Sequence, residues 1–318
     1  MLVDGVWRSG WKPAPAQEGG RFVRPPAAFR HWVTPDGEPG PTGEGGFPAE
    51  AGRYHLYVAL LCPWASRALG ALKLKRLEPA VSVSIVEPVL GEEGWTFGRY
   101  PGATPDRVNG ARHLHQIYTL ADPHHTGRAT VPVLWDRARR TIVSNESAEI
   151  ARMFDRGFGA LADDRLVLFP DDLAPAVEAL NARLYAELND GVYRAGFAAS
   201  QQAYDEAVAG VFAMLDELEA RLAGGGLMFG DRLTASDLFL FVTLVRFDAA
   251  YFSLFKCNLR RIADYPALSR YLGRLLAIPE LAATVNLDHI KRGYWSMKAL
   301  NPSGIVPAGP LDPFGAGT

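Results

Sequence analysis

The chain has 318 residues, of which 48% are hydrophobic, and its 33 Lys and Arg nearly balance its 35 Asp and Glu. This length exceeds that of one typical domain, so we expect two domains. Because the charges nearly cancel, no overall field would hold nucleic acid or an anionic membrane surface. No run of about 18 apolar residues is present, so we expect no membrane-spanning helix. We also expect no secretory signal in the first ten residues.

The two cysteines, Cys62 and Cys257, lie far apart in unlike contexts. We therefore expect no disulfide framework and a reducing, cytoplasmic location. Two adjacent histidines, His124 and His125, form an isolated pair. We interpret them as solvated loop residues rather than metal ligands, and we expect no metal site.

Gly and Pro are frequent in the first 52 residues, which show no sustained period of 2 or 3.6. We predict an extended arm with turns. Its aromatic residues favour packing on the body over full disorder. They are Trp11, Phe22, Phe29 and Trp32.

A β-favouring run from Tyr54 to Val58 leads to Cys62 and Pro63, and an apolar stripe with helical spacing follows. A second predicted strand covers residues 81–86. One helix between two strands predicts a βαβ unit with parallel strands.

Residues 88–128 are interpreted as a long insertion marked by Gly and Pro. A hairpin is predicted next, with strands at 131–135 and 141–143. Asn145 can then cap a helix. The predicted order is therefore β-α-β, then β-β-α.

Beyond residue 160 the pattern is helical. An apolar face predicts a helix over residues 204–222, and Thr234 to Asp237 fit a capping box that opens another. Residues 173–188 and 265–277 are further candidates. The predicted organisation is an arm (1–52), an α/β domain (53–160, with the insertion at 88–128), an all-α domain (161–300) and an extended tail (301–318).

Cys62 lies where a strand ends and a helix begins, and Pro63 suits the first helical position. Backbone amides and the positive end of the helix dipole stabilise a thiolate there, which predicts a pKa below that of free cysteine. The alternative is a small buried apolar residue, the usual role of free cysteine. We assign that role to Cys257.

Ala65 occupies the third position after Cys62, so no Cys-x-x-Cys pair can form an internal disulfide. A second thiol must come from solution, which favours glutathione as the resolving partner.

Several strings resemble those of the glutathionyl-hydroquinone reductases, the Xi class of glutathione transferases, and they occur in the family's order from about residue 20 to residue 310. Among them are Cys62-Pro63-Trp64-Ala65, Gly94-Trp95-Thr96-Phe97, Thr130-Val131-Pro132-Val133, Asn145-Glu146-Ser147, Asp190-Gly191-Val192-Tyr193, Phe255-Lys256-Cys257-Asn258 and Asn301-Pro302-Ser303-Gly304. The resemblance implies a thioredoxin-like N-terminal domain, an all-helical glutathione-transferase C-terminal domain and a homodimer. It does not extend to Ser66, where we associate His with the family.

For glutathione, the resemblance implies a site at Trp95, Val131, Pro132, Glu146 and Ser147. A cis bond before Pro132 would turn the Val131 backbone outward to pair with the peptide, although an ordinary edge-strand proline is the alternative. Glu146 and Ser147 open a helix whose amides can hold a carboxylate, while simple capping would also explain Glu146. Trp95 can also be only a loop anchor.

The implied reaction is the reduction of glutathionyl-hydroquinones through a Cys62–glutathione mixed disulfide, with release of oxidised glutathione. The ring carbon needs a proton, and Tyr193, Tyr251 and Tyr294 lie in family-like strings that could supply it. No metal, flavin or nicotinamide is required. The alternatives are a general thioltransferase or dehydroascorbate reductase, and a non-catalytic carrier of aromatic ligands.

Overall fold

A computed structural model of the chain describes residues 1–10, 18–312 and 314. They fall into two compact units, made of residues 1–10 with 26–166, and of residues 18–25 with 167–312 and 314. The domain boundaries predicted from the sequence stay predictions, and Trp11 lies outside the described residues. Within the described ranges, no helix is long and apolar enough to cross a bilayer.

The first unit is built on a four-stranded mixed sheet in the order β4-β3-β5-β6. A separate two-stranded hairpin of β1 and β2 precedes this sheet in the sequence. Its elements are β1 (Leu2–Val3), β2 (Val6–Trp7), β3 (Tyr54–Val58), α1 (Pro63–Leu74), β4 (Val81–Ile85), α2 (Leu114–Ala121), β5 (Val133–Asp136), β6 (Thr141–Ser144) and α3 (Ser147–Arg152). β3 pairs with β4 in parallel, and β5 pairs with β6 as an antiparallel hairpin. Both pairings confirm the predictions.

The central strand β3 is buried along its whole length, because β4 and β5 pair with its two edges and α1 packs against it. Its residues are therefore nearly all large and apolar instead of alternating. α1 in turn packs against α3. Ten of the twelve residues of α1 are buried, which fixes the position of its N-terminus relative to the sheet.

The insertion at 88–128 contains the helix α2, which the sequence interpretation missed. Its buried face consists of Leu114, Ile117 and Tyr118, each fully inaccessible. The Gln116 side chain accepts hydrogen bonds from the backbone N–H groups of Arg112 and His113, at 2.8 and 2.9 Å, and so caps the helix. Eight residues with one apolar turn are too few to show a clear helical period in the sequence. With α2 included, the order of elements from β3 to α3 is β-α-β-α-β-β-α.

The second unit is all-helical. Its α-helices are α4 (Ala174–Arg183), α5 (Gly191–Gly196), α6 (Gln201–Arg221), α7 (Ala235–Arg246), α8 (Pro266–Leu276), α9 (Pro279–Ala282) and α10 (Leu287–Trp295). π-Helical segments continue α4 (Leu184–Asn189) and α7 (Phe247–Tyr251). The capping box of α7 is confirmed, since the Asp237 carboxylate accepts from the Thr234 N–H at 2.9 Å. α6 begins earlier than predicted, because Ser200 caps it.

Among the described residues of the arm, Phe22, Phe29 and Trp32 pack as expected. Phe22 is 6% exposed and its ring lies 5.4 Å from that of Phe197 in the second unit. Trp32 is 8% exposed in the first unit, where its indole N–H donates to the Thr42 hydroxyl at 2.8 Å. Between Phe22 and Trp32 in the chain, Phe29 exchanges backbone and side-chain hydrogen bonds with Asn145, so the arm runs beside the end of β6.

Candidate active site

Cys62 is the N-cap residue of α1, and Pro63 is the first residue of that helix. The first-turn amides of a helix have no partner within it, and the dipole is positive there. The thiol is half-buried, and its Sγ lies 3.8 Å from the Val131 carbonyl oxygen, to which it donates. The thiol therefore lies at the N-terminus of α1, beside the segment before β5, as the sequence predicts.

Strand register brings the other predicted glutathione residues to the same end of the sheet. Tyr57, near the end of β3, pairs with Val133 at the start of β5. Ser144, which ends β6, pairs with Leu134. Cys62 follows β3, Val131 and Pro132 precede β5, and Glu146 follows β6, so all lie at what we call the Cys62 end of the sheet.

The bond between Val131 and Pro132 is cis, as predicted. Pro132 itself precedes β5 instead of starting it, which is consistent with the absence of an N–H for the ladder. Val131 is 5% exposed.

Trp95 is half-buried in the loop after β4, and its carbonyl accepts from the Leu114 N–H at 2.9 Å. The next residue, Thr96, accepts from the Glu87 N–H at 2.9 Å. Since β4 runs parallel to β3, this loop also starts at the Cys62 end of the sheet. The loop is held by backbone bonds at both ends.

The helix after β6 is capped by Glu146 and not by Asn145, so the predicted cap was wrong by one residue. The Glu146 carboxylate accepts from the Ala148 N–H at 3.1 Å and lies 3.4 Å from the Ser147 hydroxyl. Asn145 is instead committed to tertiary contacts, since its side chain accepts from the Phe29 N–H at 3.0 Å. A long-range partner of this kind is invisible to local capping rules.

Tyr118 joins two of these segments, and sequence reasoning missed it. Its hydroxyl donates to the Thr130 carbonyl at 2.8 Å and accepts from the Thr130 N–H at 3.1 Å and from the Asn145 side-chain amide at 3.0 Å. One buried hydroxyl thus fixes the residue before Val131 and the residue before Glu146. The sequence signal for Tyr118 is its place on the buried face of α2, a helix that the sequence did not predict.

In the second unit, three tyrosines from different helical segments meet through their hydroxyls. The Tyr193 and Tyr294 oxygens lie 2.6 Å apart, and those of Tyr251 and Tyr294 lie 2.8 Å apart. Tyr193 is on α5, Tyr251 ends the π-helical segment after α7, and Tyr294 is on α10. We call these three residues the tyrosine cluster. Burial, reinforced by the two neighbouring tyrosines, holds the pKa of Tyr294 well above its usual value.

An arginine from the arm, also missed, lies against the tyrosine cluster. The Arg24 guanidinium carbon is 4.6 Å from the centre of the Tyr193 ring, and its Nε donates to the Asp190 carboxylate at 2.6 Å. Burial opposes the charge, but Asp190 raises the pKa of Arg24 above its usual value. A lone Arg in a segment without periodicity gives no sequence signal of such a contact.

Cys257 and His125 are both buried, but the sequence predicts this only for Cys257. Cys257 is fully buried, as expected for packing, and burial raises the pKa of its thiol to about 12. His124 is exposed, but His125 is only 6% exposed and packs on the rings of Phe29 and Tyr118, so the view of a solvated pair was wrong for His125. One of these two rings, that of Phe29, comes from a distant segment of the chain.

Two family models match the chain, the glutathione S-transferase N-terminal domain over residues 61–156 and the glutathione S-transferase C-terminal domain over residues 201–274. Glutathionyl-hydroquinone reductase YqjG of Escherichia coli is 51% identical over 312 residues, which cover 98% of this chain and 95% of that protein. Its glutathione-bound structure superimposes with a TM-score of 0.89 at 50% identity, again covering 98% and 95% of the two chains.

Glutathionyl-hydroquinone reductase PcpF of Sphingobium chlorophenolicum is 48% identical over 318 residues, covering 99% of this chain and 97% of that protein. The crystal structure of the glutathione-S-transferase Xi from Phanerochaete chrysosporium has a TM-score of 0.89 at 43% identity, covering 94% and 96% of the two chains. The predicted fold class, a thioredoxin-like domain followed by an all-helical glutathione-transferase domain, is confirmed. The chain belongs to the glutathionyl-hydroquinone reductases, the Xi class of the glutathione transferases.

Proposed function

We propose that this protein reduces glutathionyl-hydroquinones to hydroquinones, with glutathione as the co-substrate and oxidised glutathione as the second product. The observation that carries the proposal is the half-buried thiol of Cys62 at the N-terminus of α1, 3.8 Å from the Val131 carbonyl. It occurs in a chain about half identical, over nearly its full length, to two proteins named as such reductases.

The first half of the reaction consumes the conjugate. The Cys62 thiolate attacks the sulfur that joins glutathione to the ring, so an S–S bond forms and the C–S bond breaks. The electron pair of the C–S bond passes to the ring carbon, which takes a proton and leaves as the hydroquinone. Cys62 is left bound to glutathione.

The second half restores the enzyme. The thiolate of a free glutathione attacks the mixed disulfide, releases oxidised glutathione and regenerates the Cys62 thiolate. Two thiols thus account for both electrons that the ring gains. No metal, flavin or nicotinamide is needed in this scheme.

For glutathione itself we assign the Cys62 end of the sheet. The backbone of Val131 forms hydrogen bonds with the backbone of the glutathione peptide, and Pro132 holds that segment in its turn. The N-terminus of α3, together with Ser147, binds the carboxylate of the γ-glutamyl residue. Glu146 binds the ammonium group of the same residue. Trp95 is to cover the bound peptide, as aromatic side chains do in ligand pockets.

The tyrosine cluster is assigned to the aromatic half of the substrate. A tyrosine ring packs on a flat ring, and its hydroxyl can bind a quinol oxygen or deliver the proton that the ring carbon needs. The Tyr294 hydroxyl lies 2.6 Å from that of Tyr193 and 2.8 Å from that of Tyr251, so the three form a hydrogen-bonded chain that can pass a proton along. Ring protonation is thus assigned to residues other than the nucleophile.

We also infer a homodimer in a reducing, cytoplasmic setting. A thiol that must ionise in every turnover is protected there from oxidation to a stable disulfide. Light scattering on the purified protein measures the assembly, with a mass near twice 34.6 kDa as the expected result.

The function is tested with a panel of glutathionyl-hydroquinones, in which free glutathione consumption, hydroquinone and oxidised glutathione are measured together. We expect the three to change in equal molar amounts. Glutathione-dependent reduction of simple disulfides or dehydroascorbate, without turnover of any conjugate, would identify a thioltransferase instead. Binding of conjugates with no mixed disulfide on Cys62 by intact mass would identify a carrier.

A further inference from the structure

The arm brings a cation into the aromatic part of the second unit. The Arg24 side chain is 23% exposed, its guanidinium lies over the Tyr193 ring at 4.6 Å, and Asp190 fixes its orientation through Nε at 2.6 Å. Asp190 directly precedes α5, the helix that carries Tyr193. The ion pair and the tyrosine are therefore held together by one short helix.

The tyrosine cluster has an internal order. The Tyr294 hydroxyl contacts both other hydroxyls, so it is the middle member of the chain. Tyr251 and Tyr294 are fully inaccessible, whereas Tyr193 is 8% exposed. Tyr193 is thus the member of the cluster that retains some exposed surface, and it is the one whose face carries Arg24.

We propose that Arg24 is a positioning residue for ring protonation and acts through Tyr193. This inference rests on the proposed function. As the C–S bond breaks, its electron pair moves to the ring carbon and the Tyr193 O–H proton follows, which leaves a phenolate. Solvent then reprotonates that phenolate.

A phenolate in this apolar surrounding would be costly without a counter-charge. The guanidinium over the ring attracts the neutral tyrosine weakly and the phenolate strongly, so it stabilises the transition state more than the ground state. A contact of this kind raises the rate of proton transfer and leaves substrate binding nearly unchanged. Steps that move no proton to a ring carbon do not depend on it.

The experiment uses the full chain and single-turnover conditions, in which hydroquinone release from 2-S-glutathionyl-hydroquinone is timed. In parallel, glutathione-dependent reduction of 2-hydroxyethyl disulfide reports on Cys62 alone. Arg24→Gln removes the charge but keeps a hydrogen-bond donor for Asp190. Arg21→Gln is the matched control, because Arg21 is an arm cation paired with Glu206 at 2.7 Å and is 50% exposed.

We expect Arg24→Gln to slow hydroquinone release by about tenfold to thirtyfold, the range that a partly buried cation–π contact would give. Arg24→Lys should recover most of the rate, and Arg21→Gln should equal wild type. In a Tyr193→Phe background, Arg24→Gln should have no further effect. Disulfide reduction should be unchanged throughout.

Equal loss in both assays, no loss in either, failure of Arg24→Lys to recover the rate, or full additivity with Tyr193→Phe would each overturn the role of Arg24. A wild-type protein that reduces the disulfide but no conjugate would instead overturn the proposed function, and the inference with it.

Discussion

The Cys62 end of the sheet and the tyrosine cluster are built in opposite ways. The first uses residues just outside the ends of neighbouring strands, so strand pairing alone brings Cys62, Val131 and Glu146 to one end of the sheet. The second is made by side chains on helical segments up to 101 residues apart, and its contacts are hydroxyl to hydroxyl. Backbone geometry determines the first region, whereas side-chain packing determines the second.

Under the proposed function, this difference separates two kinds of chemistry. A backbone-built site suits a peptide ligand and thiol exchange, which need the same groups whatever the acceptor is. A cluster of side chains can change with the acceptor while the thiol site is kept. Substitutions in one region should therefore leave the other's partial reaction intact, and each variant below tests that separation.

Cys62→Ser has the largest expected effect. A serine hydroxyl stays protonated at a helix N-terminus near neutral pH, so conjugate reduction and disulfide reduction should both fall below about a thousandth of wild type. Both rates are measured on the purified variant, with its Tm as a check on folding. Activity within about tenfold of wild type would assign the nucleophile to another residue.

Tyr193→Phe should follow, with a loss in conjugate turnover of about a hundredfold, the lower end of what general acid catalysis contributes. Tyr251→Phe and Tyr294→Phe should lose less, because they only support the donor. Disulfide reduction should be unaffected in all three, since that reaction protonates no ring. Tyr204→Phe is the control, because its hydroxyl donates to the Lys256 carbonyl at 2.7 Å, outside the cluster. Equal losses in both assays would indicate damage to folding or to glutathione binding.

Tyr118→Phe should act on the thiol site alone and more mildly. Loss of the hydroxyl leaves the Thr130 N–H and the Asn145 amide short of a partner, which costs about 1–3 kcal/mol in the free energy of unfolding. The segments before Val131 and Glu146 should loosen, so KM for glutathione should rise by about threefold to tenfold at nearly constant kcat.

The matched variant is Tyr54→Phe, at the opposite end of β3, where the hydroxyl donates to the Pro48 carbonyl at 2.7 Å. It should lower stability without changing KM for glutathione. If both variants changed KM equally, the position of Tyr118 would not matter.

The same contrast explains what the sequence could predict. Cys62 and Pro63 are adjacent, the strand and hairpin signals in their domain are local, and so is the capping signal at Thr234. The sequence therefore predicts the parallel pair, the hairpin and the capping box of α7. The helix α2 was missed because its apolar face spans a single turn. The shift of the α3 cap from Asn145 to Glu146 depends on the distant Phe29.

Arg24 and Tyr118 show the limit more sharply. Each makes its hydrogen bonds to partners more than ten residues away in the chain, Arg24 lies in a segment without periodicity, and Tyr118 lies on the short apolar face of the unpredicted helix α2. The three tyrosines were found only through the family resemblance, since an isolated tyrosine is most often a packed core residue. Local patterns report the backbone, and side-chain assemblies need tertiary structure.

The two cysteines give the smallest expected effect on activity and the sharpest contrast in reactivity. Cys257→Ser should keep most of both activities, because that thiol is fully buried. In the native wild type, the alkylation rate of Cys62 should level off at a pH below the pKa of free cysteine, since the helix N-terminus favours the thiolate that reacts.

Burial raises the pKa of Cys257 to about 12, so its thiolate is scarce at neutral pH and its labelling should require unfolding. Iodoacetamide with intact-mass detection should therefore add one label to native wild type and none to native Cys62→Ser. A second native label would contradict the burial of Cys257, and a Cys62 midpoint at the free-cysteine value would remove the helix end as the cause of its reactivity.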